Sequence, residues 1–262
     1  MNATTAPVMP DGRPAAAPLL DLFRRRPLLS AVAVWLVDLL LINGLIWLGS
    51  RFLPAGIDPS FAALWPGLIV LAIFVTLLGW WRQVGFNGPA SWRDLHLLIL
   101  PAVVILVLPF LGGSQPLEGS TLLYLIVGYL LVGLREETLY RGVILRILRP
   151  FGPMRSTLLM AVMFGLAHLS NLFVRANPAI VIAQAVGAFC DGFGFGALRL
   201  RTNTLWFLIA LHAAHDLTLK YTNFPPIPLD VVQVTILLIY GILILYKWRA
   251  EPQTTPAHAN PA

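Results

Sequence analysis

Apolar residues in this chain fall into long unbroken runs rather than at helical or strand spacing. Eight such runs stand out, at about residues 28–48, 61–81, 96–111, 121–148, 156–172, 177–200, 204–219 and 229–248. A helix needs about 20 apolar residues to cross the hydrocarbon core of a bilayer, so the pattern predicts a bundle of about eight transmembrane helices. Between the runs lie breaks of the expected kind. Pro54, Gly56 and Pro59 mark one, GGSQPLEGS at residues 112–120 another, and Pro150, Gly152 and Pro153 a third. Residues 82–95 are polar and tryptophan-bearing, and read as an interfacial segment. Pro101 and Pro109 are expected to bend the third span. The fourth run is too long for one straight crossing, so its end should project or bend. Gly187, Gly192, Gly194 and Gly196 in the sixth allow close helix contact.

Composition agrees with this reading. Of 262 residues, 58% are hydrophobic and 11% charged, against roughly a quarter charged in a soluble domain. The fold class is therefore all-α, a polytopic transmembrane bundle. Residues 27–249 form the bundle, 1–26 a disordered cytoplasmic tail rich in proline and alanine, and 250–262 a C-terminal tail. The net charge of +6 does not indicate nucleic acid, because the arginines cluster beside apolar segments. Arg24, Arg25, Arg26, Arg82, Arg93, Arg146, Arg149, Arg155, Arg199, Arg201, Lys247 and Arg249 fall on one side of an eight-span arrangement; only Arg51, Arg175 and Lys220 fall on the other. Both termini are then expected on the cytoplasmic side. The single cysteine, Cys190, excludes an internal disulfide.

Against this apolar background a few ionisable residues are conspicuous, since charge at a span centre costs about 2.5 to 3.5 kcal/mol. Within the fourth run the apolar stretch 122–134 is followed by Arg135, Glu136 and Glu137, with Arg141 four residues after the second glutamate. On a helix Glu137 and Arg141 can pair, while Glu136 shares a different face with Tyr140. One carboxylate is thus braced and the other left available for a proton or a water. The fifth span carries His168, and the seventh carries His212 and Asp216 one turn apart. Such groups face the bundle interior and pair with one another. A carboxylate and two imidazoles can activate a water directly, or can bind a divalent metal such as zinc; Glu136, His168 and His212 are the candidate ligands. Asp216 could orient an imidazole by accepting its ring N–H, or, if protonated, stabilise an oxyanion. His215 is read as packing or as support behind the site, and His96 as interfacial. Asp38 and Asp191 are further intramembrane acids that belong to no motif, either helix contacts or cavity lining.

Taken in order, Glu136-Glu137-Thr138-Leu139-Tyr140-Arg141, Phe164 to His168, and His212 to Asp216 resemble the EExxxR, FxxxH and HxxxN/D motifs of the CPBP family of intramembrane proteases. That family includes the CAAX prenyl endopeptidases and the bacteriocin-processing or self-immunity proteins. Residues 196–206 also resemble the segment before its last motif, and the family-like core spans about 121–219. The resemblance implies that Glu136 and His168 activate a water, that Glu137 and Arg141 brace the site, and that His212 and Asp216 stabilise the tetrahedral intermediate. Asp216 stands where relatives often carry Asn. Metal-dependent and metal-free glutamate/histidine mechanisms both fit these residues. The expected activity is endopeptidase cleavage of a peptide or protein, membrane-associated in some cases, in an integral membrane protein lying in the plasma membrane if the source is bacterial. Two rivals are a non-catalytic immunity or scaffold protein that keeps the cluster for packing or binding, and a proton-coupled carrier. A carrier should have two matching halves with interrupted helices, and no such repeat is visible.

Overall fold

A computed structural model describes residues 16–116, 118–173 and 177–250. The tail before residue 16, the tail after 250 and Arg175 lie outside the described residues. All described elements are helical apart from one isolated bridge between Ser114 and Thr222. Five helical stretches are long and apolar enough to cross a membrane: Pro27–Phe52, Pro59–Leu77, Trp92–Gly112, Pro178–Thr202 and Pro226–Trp248. Their outward faces carry large apolar side chains, such as Leu40 and Val37 on the first and Ile69 and Ile73 on the second. Surface of this kind is stable only against lipid or a partner, and five of these helices together define an integral membrane protein.

Helix α1, Ala17–Arg25, falls inside the stretch expected to be a disordered tail. Its order has a local cause. Asp21 and Arg25 pair at 2.8 Å across one turn. Phe23 is buried with its ring 5.7 Å from that of Trp80. Helix α2, Pro27–Phe52, packs along α3, Pro59–Leu77. The interfacial segment is a short helix α4, Trp81–Val84, followed by a loop. The third span is broken as its prolines require: a 3₁₀ turn at Trp92–Leu98, helix α5 at Ile99–Leu106, and a second 3₁₀ turn at Leu108–Gly112 that contains Pro109.

Helix α6, Gly119–Glu136, does not continue as an ordinary helix. Residues Glu137–Ile144 form a π-helix, and only Leu145–Leu148, α7, return to α geometry. The excess length of this run is thus accommodated by a wider helix at the motif itself. Packing contributes: a Cβ on Gly142 would lie 3.0 Å from Val84 Cβ. π-Segments within α-helices are rare and frequently mark functional sites. Helix α8, Pro153–Ala167, passes into a 3₁₀ turn at His168–Phe173.

Helix α9, Pro178–Thr202, is the most buried of the long helices and packs on both α8 and α11, Pro226–Ala250. Its glycines make that possible. A Cβ on Gly194 would lie 2.7 Å from Leu237 O, and one on Gly196 2.7 Å from the Met160 side chain. Helix α10, Trp206–Tyr221, lies against α6 at a similar approach, Gly133 to Ile209 O. One apolar core joins α1, α2, α3, α7 and α8, and a second joins α5, α9, α10 and α11. The ionisable residues of the motifs lie where the two meet: Phe164 of the first core and Phe195 of the second both pack against Arg141 and His212.

Candidate active site

The π-segment begins between the two glutamates, whose side chains have different surroundings. Glu137 is fully buried, and Arg141, also buried, lies 2.9 Å from its Oε1. Arg141 has a second carboxylate partner: its Nη2 donates to Asp191 Oδ2 at 3.1 Å. The guanidinium is also stacked over the Phe164 ring at 4.2 Å. Asp191, which no motif covered, is therefore part of the brace.

The braced carboxylate holds an imidazole. His212 Nδ1 lies 2.7 Å from Glu137 Oε1. A carboxylate at this distance accepts, so Nδ1 is the protonated nitrogen and Nε2 is turned to the cavity. There Nε2 meets Glu136 Oε2 at 3.7 Å and Asp216 Oδ2 at 3.8 Å. Of the two roles open to Asp216, accepting a ring N–H from His212 is not made at 3.8 Å, beyond hydrogen-bond reach, and Glu137 accepts at the other nitrogen. The carboxylate that orients His212 comes from the π-segment rather than from the next turn of α10.

His168 sits at the end of α8. Its Nδ1 is 2.9 Å from the carbonyl oxygen of Phe164, which can only accept, so Nδ1 carries the proton and Nε2 keeps its lone pair in the neutral ring. The Phe164 ring meets both imidazoles edge-on, 4.8 Å from His168 and 6.3 Å from His212.

Glu136, His168, His212 and Asp216 all line one cavity of about 260 Å³. It has room for several waters at about 30 Å³ each. Tyr140 lines it as well, as its shared face with Glu136 requires. The pocket extends to Asn43, Ser60, Ser170, Asn171 and Gln184, a polar lining that runs toward the ends of α2 and α8. Asp38 and Arg135 form one wall: Arg135 Nη2 donates to both carboxylate oxygens of Asp38, at 2.5 and 2.6 Å. Sequence reasoning left both unassigned. The available signal was an unpaired base and an unpaired acid in two apolar runs, 97 residues apart. His215 is buried but does not line the cavity, and faces Asp230 at 3.3 Å. His96 is exposed, with Nδ1 2.5 Å from Arg93 O.

Among the described residues no three of His, Cys, Asp and Glu are gathered closely enough to hold a metal ion. Glu137 and the Phe164 carbonyl each accept from Nδ1 of an imidazole, an arrangement that suits a metal ligand as well as a general base, and His168 has no direct contact with Glu136 or His212 among the hydrogen bonds and ion pairs of the described residues.

What the fold and cavity define is an all-helical membrane protein with a carboxylate and two oriented imidazoles facing one polar pocket inside the bundle. Residues 118–218 match the family model of the Rce1-like type II CAAX prenyl endopeptidases. This is the resemblance drawn from the three motifs, and it is borne out over a segment that contains all of them. The match carries peptidase activity as the general expectation. Comparison with curated proteins gave no match.

Proposed function

We propose that the chain is an intramembrane endopeptidase of the CPBP/CAAX type, in which Glu136 is the base that takes a proton from water. The observation that carries this reading is the division of labour between adjacent glutamates: Glu137 is consumed by Arg141 and His212, while Glu136 lines the cavity. The lone pair on His168 Nε2 orients the water. Glu136 accepts its proton as the oxygen attacks the peptide carbonyl carbon, and the carbonyl electrons move to oxygen. His212 Nε2, when protonated, donates to that oxyanion, and Asp216 on the same wall positions it or the substrate. Collapse of the intermediate breaks the C–N bond, and the proton held by Glu136 passes to the leaving amine. The base returns to its starting state. Every step uses groups of this chain and a water.

The polar lining from Asn43 to Gln184 supports access for water and an extended peptide segment. In this reading the bundle has eight spans with both termini cytoplasmic, in the plasma membrane if the host is bacterial. The test is cleavage of a quenched-fluorescence peptide library by purified protein in nanodiscs. Activity that disappears in Glu136→Gln, a variant of nearly the same shape, supports the proposal; equal cleavage by that variant overturns it. Cleavage measured with and without chelator reports on metal dependence separately.

A further inference from the structure

The end of the bundle that carries α1 holds a feature the peptidase reading does not use. Arg24 of α1, Arg82 of α4, Arg146 of α7 and Arg149 just beyond it line one basin of about 1020 Å³, and among the described residues no acidic side chain lines it with them. The nearby acids are engaged elsewhere, Asp21 with Arg25 at 2.8 Å and Asp94 with Arg201 at 3.7 Å. Arg146 is half-buried, stacked over the Trp80 ring at 4.6 Å, and its buried Nε has no hydrogen-bond partner.

Arg199, close by, is different. Its guanidinium donates to Val84 O, Gln83 O and Asn203 Oδ1, as a structural arginine should. Among the described residues no side-chain hydrogen bond to a carbonyl holds the basin arginines in this way. The positive-inside rule accounts for basic residues at span ends, but it distributes them around a rim. It does not require four to converge on one concavity, or one of them to be half-buried against a tryptophan.

A phosphate group fits such a basin, because guanidinium forks match its geometry and supply the missing negative charge. The same place offers an apolar continuation. Phe23 lines both the basin and a groove of about 280 Å³ walled by Leu19, Leu22, Val34, Val37 and Leu71. We propose that the basin binds the phosphate headgroup of an anionic phospholipid, with an acyl chain lying in the adjoining groove between α1, α2 and α3. A free phosphate would use the arginines but not the groove.

Full-length protein in phosphatidylcholine nanodiscs is the starting point, with thermal unfolding followed by tryptophan fluorescence. Phosphatidylglycerol is titrated in, then inorganic phosphate in a separate arm. We expect phosphatidylglycerol to raise the midpoint saturably, and Arg146→Gln with Arg149→Gln to weaken that response about 10- to 30-fold, given the attraction of each basic side chain to an anionic surface. Arg24→Gln with Arg82→Gln, at exposed positions, should weaken it similarly and serves where the first pair fails to fold. Arg93→Gln, basic and exposed but outside the basin, should respond like the unaltered protein. A response to phosphatidylglycerol no larger than to added phosphatidylcholine, or equal loss in Arg93→Gln, overturns the proposal. A midpoint shift fully reproduced by inorganic phosphate overturns the lipid as the ligand.

Discussion

Arg141→Ala should damage stability more than any other single change at the site. The side chain is fully buried, and it is the counter-charge to Glu137 at 2.9 Å and to Asp191 at 3.1 Å. Truncation leaves two carboxylates facing each other across a cavity in a low-dielectric interior. Breaking a buried pair from one side costs about 3 to 5 kcal/mol. The stack on Phe164 adds about 1 kcal/mol. For a domain of this size about 1 kcal/mol moves the unfolding midpoint by about 2 to 4 °C, so the expected drop is about 8 to 24 °C. The assay is thermal unfolding in detergent, by tryptophan fluorescence and by loss of the monodisperse peak on size exclusion. The second partner sharpens the test. Glu137→Gln with Arg141→Gln removes one carboxylate charge but leaves Asp191 uncompensated, so it should recover only part of the loss. Adding Asp191→Asn should recover most of the remainder, since an uncharged network has no ion to strand. An Arg141→Ala protein with an unaltered midpoint, or a triple variant less stable than Arg141→Ala, would refute the charge-compensation argument.

The remaining predictions separate chemistry from framework. Glu136→Gln and His168→Ala should each reduce turnover by about 10² to 10⁴ while leaving the unfolding midpoint within a few degrees, because both side chains face the cavity rather than the brace; cleavage assays beside melting curves check this. Gly133→Ala should depress activity, because the new Cβ would lie 2.8 Å from Ile209 O and push α10, with His212, away from Glu137; normal turnover in that variant would contradict the geometry. Asp216→Asn should retain measurable activity and Asp216→Ala should lose most of it, with bound metal measured in both; an inactive and metal-depleted Asn variant would instead make Asp216 a ligand.

Much of the site was legible because a bilayer makes ionisable residues expensive. Glu136, Glu137, Arg141, His168, His212 and Asp216 stood out against apolar runs, and the structure gathers their helices around one pocket. The pairing of Glu137 with Arg141 followed from helical spacing and is present. What failed to show was non-local. Nothing in the chain connects Asp38 to Arg135, or Asp191 to Arg141, because those pairs depend on which helices pack together. The π-segment was illegible for a related reason: intrinsic propensities distinguish helix from non-helix, while the widening at Glu137 to Ile144 accompanies packing of Gly142 against Val84. Helix α1 was missed because a proline- and alanine-rich start masked a short pattern, Leu19 to Arg25, stabilised by contacts to α2 and Trp80.

The two adjacent glutamates stand at the start of the π-segment and are put to different uses. In a regular helix neighbouring side chains point about 100° apart. Glu137 must reach inward to Arg141 and to an imidazole on α10, while Glu136 must stay at the cavity wall beside Tyr140. Ion pairs on the inward side fix Glu137, and the rigidity passes through His212 Nδ1 to the nitrogen that faces the pocket. Glu136 then meets an imidazole whose orientation does not depend on substrate. The stabilising cost of burying Glu137, Arg141 and Asp191 is high, and replacing such groups by apolar ones is often neutral or better for stability alone. A framework built only for packing would therefore have little use for three buried charges. One that must hold an imidazole fixed beside a free carboxylate, in a medium without bulk water, has a use for each of them.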